Sequence, residues 1–116
     1  MTDELIEYDA IALGELTRKG EISPLELLDN TIQRIEEFNP KLNAVIHKMY
    51  DLARETAENW ISEIKASNVS DAIFCGVPFL LKDLLAECKE APFVEGSRAV
   101  RGYVSKLDTE LVRRQK

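Results

Sequence analysis

The amino-acid sequence predicts an α/β fold, rich in helix, with two or three short strands. Two observations carry this. Helical-period stretches alternate with short apolar runs, and the apolar runs are too brief for helices and bounded by turn residues. The clearest helix start is Ser23-Pro24-Leu25-Glu26, and the clearest strand candidate is Phe79-Leu80-Leu81. Elements alternating in this order imply layered α/β architecture.

The elements follow in order. Asp9 is placed to cap a helix from about Ala10 to Arg18, with Ala12, Leu13 and Leu16 on one side. Lys19-Gly20 then stops it, a cation at the helix C-terminus followed by a residue free to turn left-handed. Ser23 to Glu26 forms a capping box with proline in the first turn. Leu25, Leu28, Ile32 and Ile35 recur at helical spacing, Leu27 and Phe38 widen the stripe, and Asn39-Pro40 is expected to end it. Leu42-Asn43-Ala44-Val45-Ile46-His47 reads as a short strand with Leu42, Ala44 and Ile46 on one face. A third helix is expected from about Asp51 to Lys65, with Ala53, Ala57, Trp60, Ile61 and Ile64 inward. Residues 67–71 are polar and loop-like. Gly76-Val77-Pro78 leads into the buried strand candidate Phe79-Leu80-Leu81, where proline suits a strand entry or edge. Pro92, Gly96 and Gly102 break the stretch from Leu84 to Lys106 into loop pieces, a common setting for substrate contacts. Asp108 is placed to cap a last helix containing Leu111 and Val112. Two or three strands are few for an open sheet of this class.

Composition bounds the function. The chain has 116 residues, is 45% hydrophobic and carries a formal charge of −6. That is at most one small domain, too apolar for disorder. The acidic balance argues against nonspecific nucleic-acid binding, and Arg113-Arg114-Gln115-Lys116 is too short a basic cluster to change this. Cys75 and Cys88, the only two cysteines, show neither zinc spacing nor a disulfide framework, so a reducing, cytoplasmic setting is expected. The acidic start, Met1 to Leu5, lacks a signal-peptide pattern, and no apolar run approaches membrane-spanning length.

The run Gly76-Val77-Pro78-Phe79-Leu80-Leu81-Lys82-Asp83 is the strongest chemical signal. A lysine after several hydrophobic residues is placed to be drawn into low dielectric. Burial disfavours an ammonium ion, and that is the condition under which a lysine becomes a base. On residues alone, Lys82 at a strand end also reads as an ordinary lysine reaching out to water.

Four segments in order resemble the amidase signature family. Lys19-Gly20-Glu21-Ile22-Ser23-Pro24-Leu25-Glu26-Leu27 is similar to the family's R-x-G-E-x-S-x-x-E-L opening. Arg34-Ile35-Glu36 through Asn39-Pro40-Lys41-Leu42-Asn43-Ala44 is similar to R-I-x-x-x-N-P-x-L-N-A. The run from Gly76 to Asp83 is similar to G-V-P-x-x-x-K-D. Gly96-Ser97 followed by Asp108 and Leu111-Val112-Arg113-Arg114 is similar to G-S…D-x-x-x-V-x-R-L. Each is weak alone; together they cover nearly the whole chain.

The resemblance implies a mixed sheet flanked by helices, of which residues 1–116 would form the N-terminal portion within a single domain. It implies hydrolysis of a C–N amide bond in a small-molecule amide, with no metal or organic cofactor. A serine attacks the carbonyl, a second serine on a cis peptide relays its proton to a lysine, and backbone N–H groups hold the oxyanion. The lysine corresponds to Lys82, the catalytic residue expected here. The family's serines lie in a Gly-Gly-Ser-Ser-Gly-Gly-like segment that is absent from these 116 residues, so the isolated chain is expected to be inactive. Glu90 stands where the family commonly has glycine, which bears on loop conformation and specificity.

Other candidates have plainer readings. Ser97 has no evident base and falls at a scaffold or pocket-lining position of the resemblance. Cys75 or Cys88 with His47 would make a thiol dyad, but inert buried thiols are the simpler account. Trp60 sits at core spacing. Asp83, Glu87 and Glu90 lack a histidine partner or ligand loop and are expected to be solvated. Asp83, if close to Lys82, would favour the charged ammonium, though in an extended segment it points to the opposite face. Two rival functions are a short non-catalytic interaction module and an enzyme forming a Schiff base at Lys82. As an isolated piece, Leu25, Leu28, Ile32, Ile35, Trp60 and Phe79 would lack a sheet to pack on. The chain then either collapses into a small bundle or forms a homodimer through its apolar faces.

Overall fold

A computed structural model of the chain describes residues 3–116; Met1 and Thr2, which open the acidic start, lie outside them. The described residues fall into two units, one ending at Pro78 and the other Phe79–Lys116.

In the first unit a 3-10 helix, Asp3–Glu7, precedes α1, Ala10–Arg18. The Asp9 carboxylate accepts the Ala12 N–H at 2.8 Å, as a capping aspartate should. At the other end Gly20 takes φ 73°. Glu21 N–H then reaches the Leu16 carbonyl and Gly20 N–H the Thr17 carbonyl, a Schellman closure.

Helix α2, Pro24–Leu42, opens on the expected capping box. Ser23 Oγ accepts the Glu26 N–H at 3.1 Å, and Glu26 Oε2 accepts the Ser23 N–H at 2.8 Å. The expected stop at Asn39-Pro40 is corrected: the helix runs through Pro40 to Leu42 and ends at Asn43, φ 48°. Proline deletes one donor, but only within the last turn, where few bonds depend on it. The stop goes to Asn43 because asparagine tolerates the left-handed region better than most residues.

The strand expected over 42–47 is corrected by another asparagine, Asn39. Leu42 is the last helical residue. Asn39 donates to the Val45 carbonyl at 2.9 Å and accepts the Val45 N–H at 2.8 Å. Those are the two groups a ladder would have used.

Helix α3, Tyr50–Lys65, packs against α2. Leu27, Leu28 and Ala57 are buried in this pairing's unit, whereas Leu25, Ile32, Ile35, Trp60, Ile61 and Ile64 are only half-buried. The exposed rim carries Arg54–Asp29 at 2.6 Å and Lys48–Glu36 at 2.6 Å. Such exposed pairs orient the helices more than they stabilise them.

Helix α1 docks on the turn at 72–76. Thr17, fully buried, donates its hydroxyl toward the carbonyls of Gly14 and Cys75. Arg18 donates to the carbonyls of Ala72, at 2.6 Å, and Ile73, at 2.9 Å. The approach is so close that a Cβ on Gly14 would lie 2.1 Å from the Ile73 oxygen. Gly76 both turns left-handed, φ 67°, and leaves room for Pro24, whose Cγ would be 2.7 Å from an added Cβ.

In the second unit the expected strand Phe79-Leu80-Leu81 is not formed, and Phe79 and Leu80 are 64% and 62% exposed. A strand exists through its ladder partners, and none lies alongside this segment among the described residues. The mixed sheet and short strands of the α/β expectation are therefore absent from the described residues, which are helical with one antiparallel bridge, Pro92 to Val104. Around that bridge Glu90 N–H reaches the Ser105 carbonyl at 2.8 Å and Ser105 N–H the Ala91 carbonyl at 2.9 Å.

Helix α4, Glu110–Gln115, starts at Thr109, not at the expected cap Asp108. The Asp108 carboxylate is already engaged: it accepts the Lys89 N–H at 2.8 Å and pairs with Lys116 Nζ at 2.8 Å. Val112, 1% exposed, anchors this helix. No helix among the described residues is long and apolar enough to cross a membrane.

Candidate active site

Lys82 is the last residue of an irregular stretch, 77–82, and Asp83 opens the turn that follows at 83–85. The Lys82 side chain is exposed, so the apolar enclosure expected from Phe79, Leu80 and Leu81 is not supplied by those neighbours. Leu85 closes the turn at φ 64° and is 76% exposed. A leucine in that region carries steric strain, of the kind that persists where surroundings impose it.

Asp83 departs from the expectation of a solvated carboxylate. It is half-buried, and Oδ1 accepts the Val94 N–H at 2.9 Å. Val94 begins a tight turn in which Ser97 N–H donates to the Val94 carbonyl at 2.8 Å. Both central residues, Glu95 and Gly96, have positive φ, 48° and 67°. That is the signature of a type I′ turn, and it explains the glycine at 96. Ser97 Oγ accepts the Ala99 N–H at 3.2 Å and caps a 3-10 helix, Arg98–Val100. The Ser97 oxygen thus serves the backbone of that short helix.

The remaining candidates each stand within their own unit. Cys75 and Cys88 are free and buried, and burial pushes both thiols up. A raised thiol is a poor nucleophile. His47 Nε2 is buried with no hydrogen-bond partner among the described residues. Glu87 accepts the Tyr103 hydroxyl at 3.2 Å, and Glu90 is exposed at φ 69°. The left-handed Glu90 sits at the position where the resemblance expects glycine. Among the described residues no group of three His, Cys, Asp or Glu is arranged to hold a metal ion.

Sequence reasoning missed the docking of α1 through Gly14, Thr17 and Arg18. A threonine and an arginine inside a helical pattern carry no mark of a partner 54 to 58 residues away.

The family model described as Amidase matches residues 26–116, a stretch that includes Lys82 and Asp83. The chain belongs to the amidase signature family. A 6-aminohexanoate-cyclic-dimer hydrolase of Pseudomonas sp. (strain NK87) is 43% identical over 76 residues, 66% of this chain and 13% of the relative. A putative amidase AmiC of Mycobacterium bovis is 31% identical over 111 residues, 96% of this chain and 22% of the relative. A fatty-acid amide hydrolase 2-B of Danio rerio is 33% identical over 89 residues, 72% of this chain and 17% of the relative. The matched parts of this amidase-family chain thus cover between 13% and 22% of those relatives' lengths. No solved structure matches it.

Proposed function

We propose that this chain serves amide hydrolysis by contributing Lys82 as the general base, and later acid, of a longer amidase signature enzyme. The observation that carries the reading is the family match over 26–116, with Lys82 at the lysine of a G-V-P-x-x-x-K-D run. In the proposed mechanism a serine attacks the carbonyl of a small-molecule amide. A bridging serine on a cis peptide passes the proton to Lys82, and the amine leaves as Lys82 returns it. Both serines come from residues other than these 116. So does the cover that keeps water from Lys82, which is exposed here. The segment Phe79-Leu80-Leu81 joins the mixed sheet only in that longer protein, where partners for its backbone groups exist. Family chemistry asks for no metal or organic cofactor. Alone, the 116 residues are inactive and self-associate as a homodimer through side chains such as Phe79 and Leu80. The reducing, cytoplasmic setting expected from the two cysteines belongs to this reading as well.

The test is the intact mass and light-scattering size of the natural protein, with an amide hydrolysis assay of wild type and Lys82→Ala. The expected result is a mass several-fold above 13.2 kDa and a loss of at least about a hundredfold in kcat on removing the lysine. Lysine-dependent turnover by the 13.2 kDa chain would contradict the claim of inactivity. Turnover by the longer protein that survives Lys82→Ala would overturn the role of Lys82.

A further inference from the structure

We infer that Asp83 is a positioning residue: it pins the turn that follows Lys82 to the Val94–Ser97 turn by accepting the Val94 N–H. The inference rests on the proposed role of Lys82. The obvious alternative for an aspartate beside a lysine is a counter-ion. The geometry favours a different task. Lys82 is exposed while Asp83 is half-buried, and Asp83 Oδ1 is committed to a backbone donor eleven residues on, at 2.9 Å. Val94 is not an arbitrary anchor. Its carbonyl closes the type I′ turn by accepting Ser97 N–H at 2.8 Å, and Ser97 in turn caps residues 98–100. A hydrogen-bonded path therefore runs from the residue next to Lys82 through Val94 to Ser97 and Ala99. The far side of this path is held as well. Phe93 N–H reaches the Tyr103 carbonyl at 3.3 Å, beside the Pro92–Val104 bridge.

Two consequences follow. The turn that follows Lys82, with its left-handed Leu85, is held by this acceptor while Leu84 and Leu85 are 47% and 76% exposed. The Val94 contact needs only an oxygen at one place, so an amide oxygen at the same place should keep it. A counter-ion role requires the charge, and the amide would fail.

Amide exchange, followed by NMR on the 116-residue chain, reads the first consequence. Val94 exchange should quicken by about tenfold or more in Asp83→Ala and by less than about fivefold in Asp83→Asn. In the longer enzyme Asp83→Ala should lower kcat by ten- to a hundredfold at nearly constant KM, as misplacement of a reacting group does. Asp83→Asn should stay near wild type, with the pH profile unmoved. Equal damage from both variants, or a shifted pH profile in Asp83→Asn, overturns the inference in favour of a charge role. Unchanged Val94 exchange in Asp83→Ala also overturns it. If the alanine variant does not fold, Asp83→Asn decides alone: retained Val94 protection supports the inference, and lost protection overturns it. Because exchange does not depend on catalysis, an active Lys82→Ala enzyme would sink the proposed function and leave the exchange result standing.

Discussion

Replacing Gly14 with alanine should destabilise the first unit, although alanine is the better helix former. Gly14 lies inside α1, where glycine to alanine ordinarily gains about 1 kcal/mol. Here the new methyl would sit 2.1 Å from the Ile73 carbonyl oxygen, a backbone atom that cannot swing aside. To accommodate it, α1 must move off the 72–76 turn. That breaks the Thr17 bond to the Cys75 carbonyl, worth about 1 kcal/mol. It also breaks the Arg18 bonds to Ala72, part-buried, and Ile73, exposed, together worth about 2 kcal/mol for a charged donor. Against the propensity gain, the net loss is about 2 kcal/mol. Urea unfolding measures it: with a slope of about 1–2 kcal/mol per molar, the midpoint should fall by roughly 1–2 M. Thr17→Val, which removes one hydroxyl and no space, should cost less. A Gly14→Ala chain as stable as wild type, or more so, would refute the close approach and the sign of the argument.

Other perturbations read other parts of the chain. Lys116 and the Lys89 N–H hold the Asp108 carboxyl below the usual carboxylate range. Its stabilisation is therefore present above the unfolded-state value of about 3.9 and lost as pH falls through the lower folded-state value. Urea midpoints at pH 7 and in that acid window should differ less in Asp108→Asn than in wild type. Glu90→Gly should stabilise by a few tenths to about 1 kcal/mol, because relief of the left-handed strain at φ 69° exceeds glycine's extra chain entropy; a lowered urea midpoint would contradict this. Burial, then the hydrogen bond to Glu36, pushes the Tyr50 phenol up to about 12. In an ultraviolet titration Tyr50 should be the last tyrosine to ionise, and Glu36→Gln should bring its midpoint down.

The helices were legible because their signals are local. Asp9, Lys19-Gly20 and the Ser23–Glu26 box each act within one turn, and the structure uses all three. The end of α2 was misplaced because Pro40 falls within the last turn, where it breaks little, and the stop passes to left-handed Asn43. The strands failed for a different reason. Apolar alternation states a preference for a ladder, and Phe79-Leu80-Leu81 has no partner among the described residues. At the candidate site the lysine motif could be read directly. The engagement of Asp83 could not, since nothing in K-D announces a donor at Val94. Glu90 shows the converse: the resemblance marked a glycine position, and the backbone there is left-handed with glutamate in place.

The docking of α1 also sets an order of assembly. Helices α2 and α3 are joined by a short connection, so their pairing closes a small loop and comes early. The Thr17 contact with Cys75 spans 58 residues and encloses that helical pair entirely. Its closure entropy is met only once the enclosed helices have shortened the path between its ends. The first helix is thus a clasp fastened last and released first, and its amides should exchange ahead of those of α2.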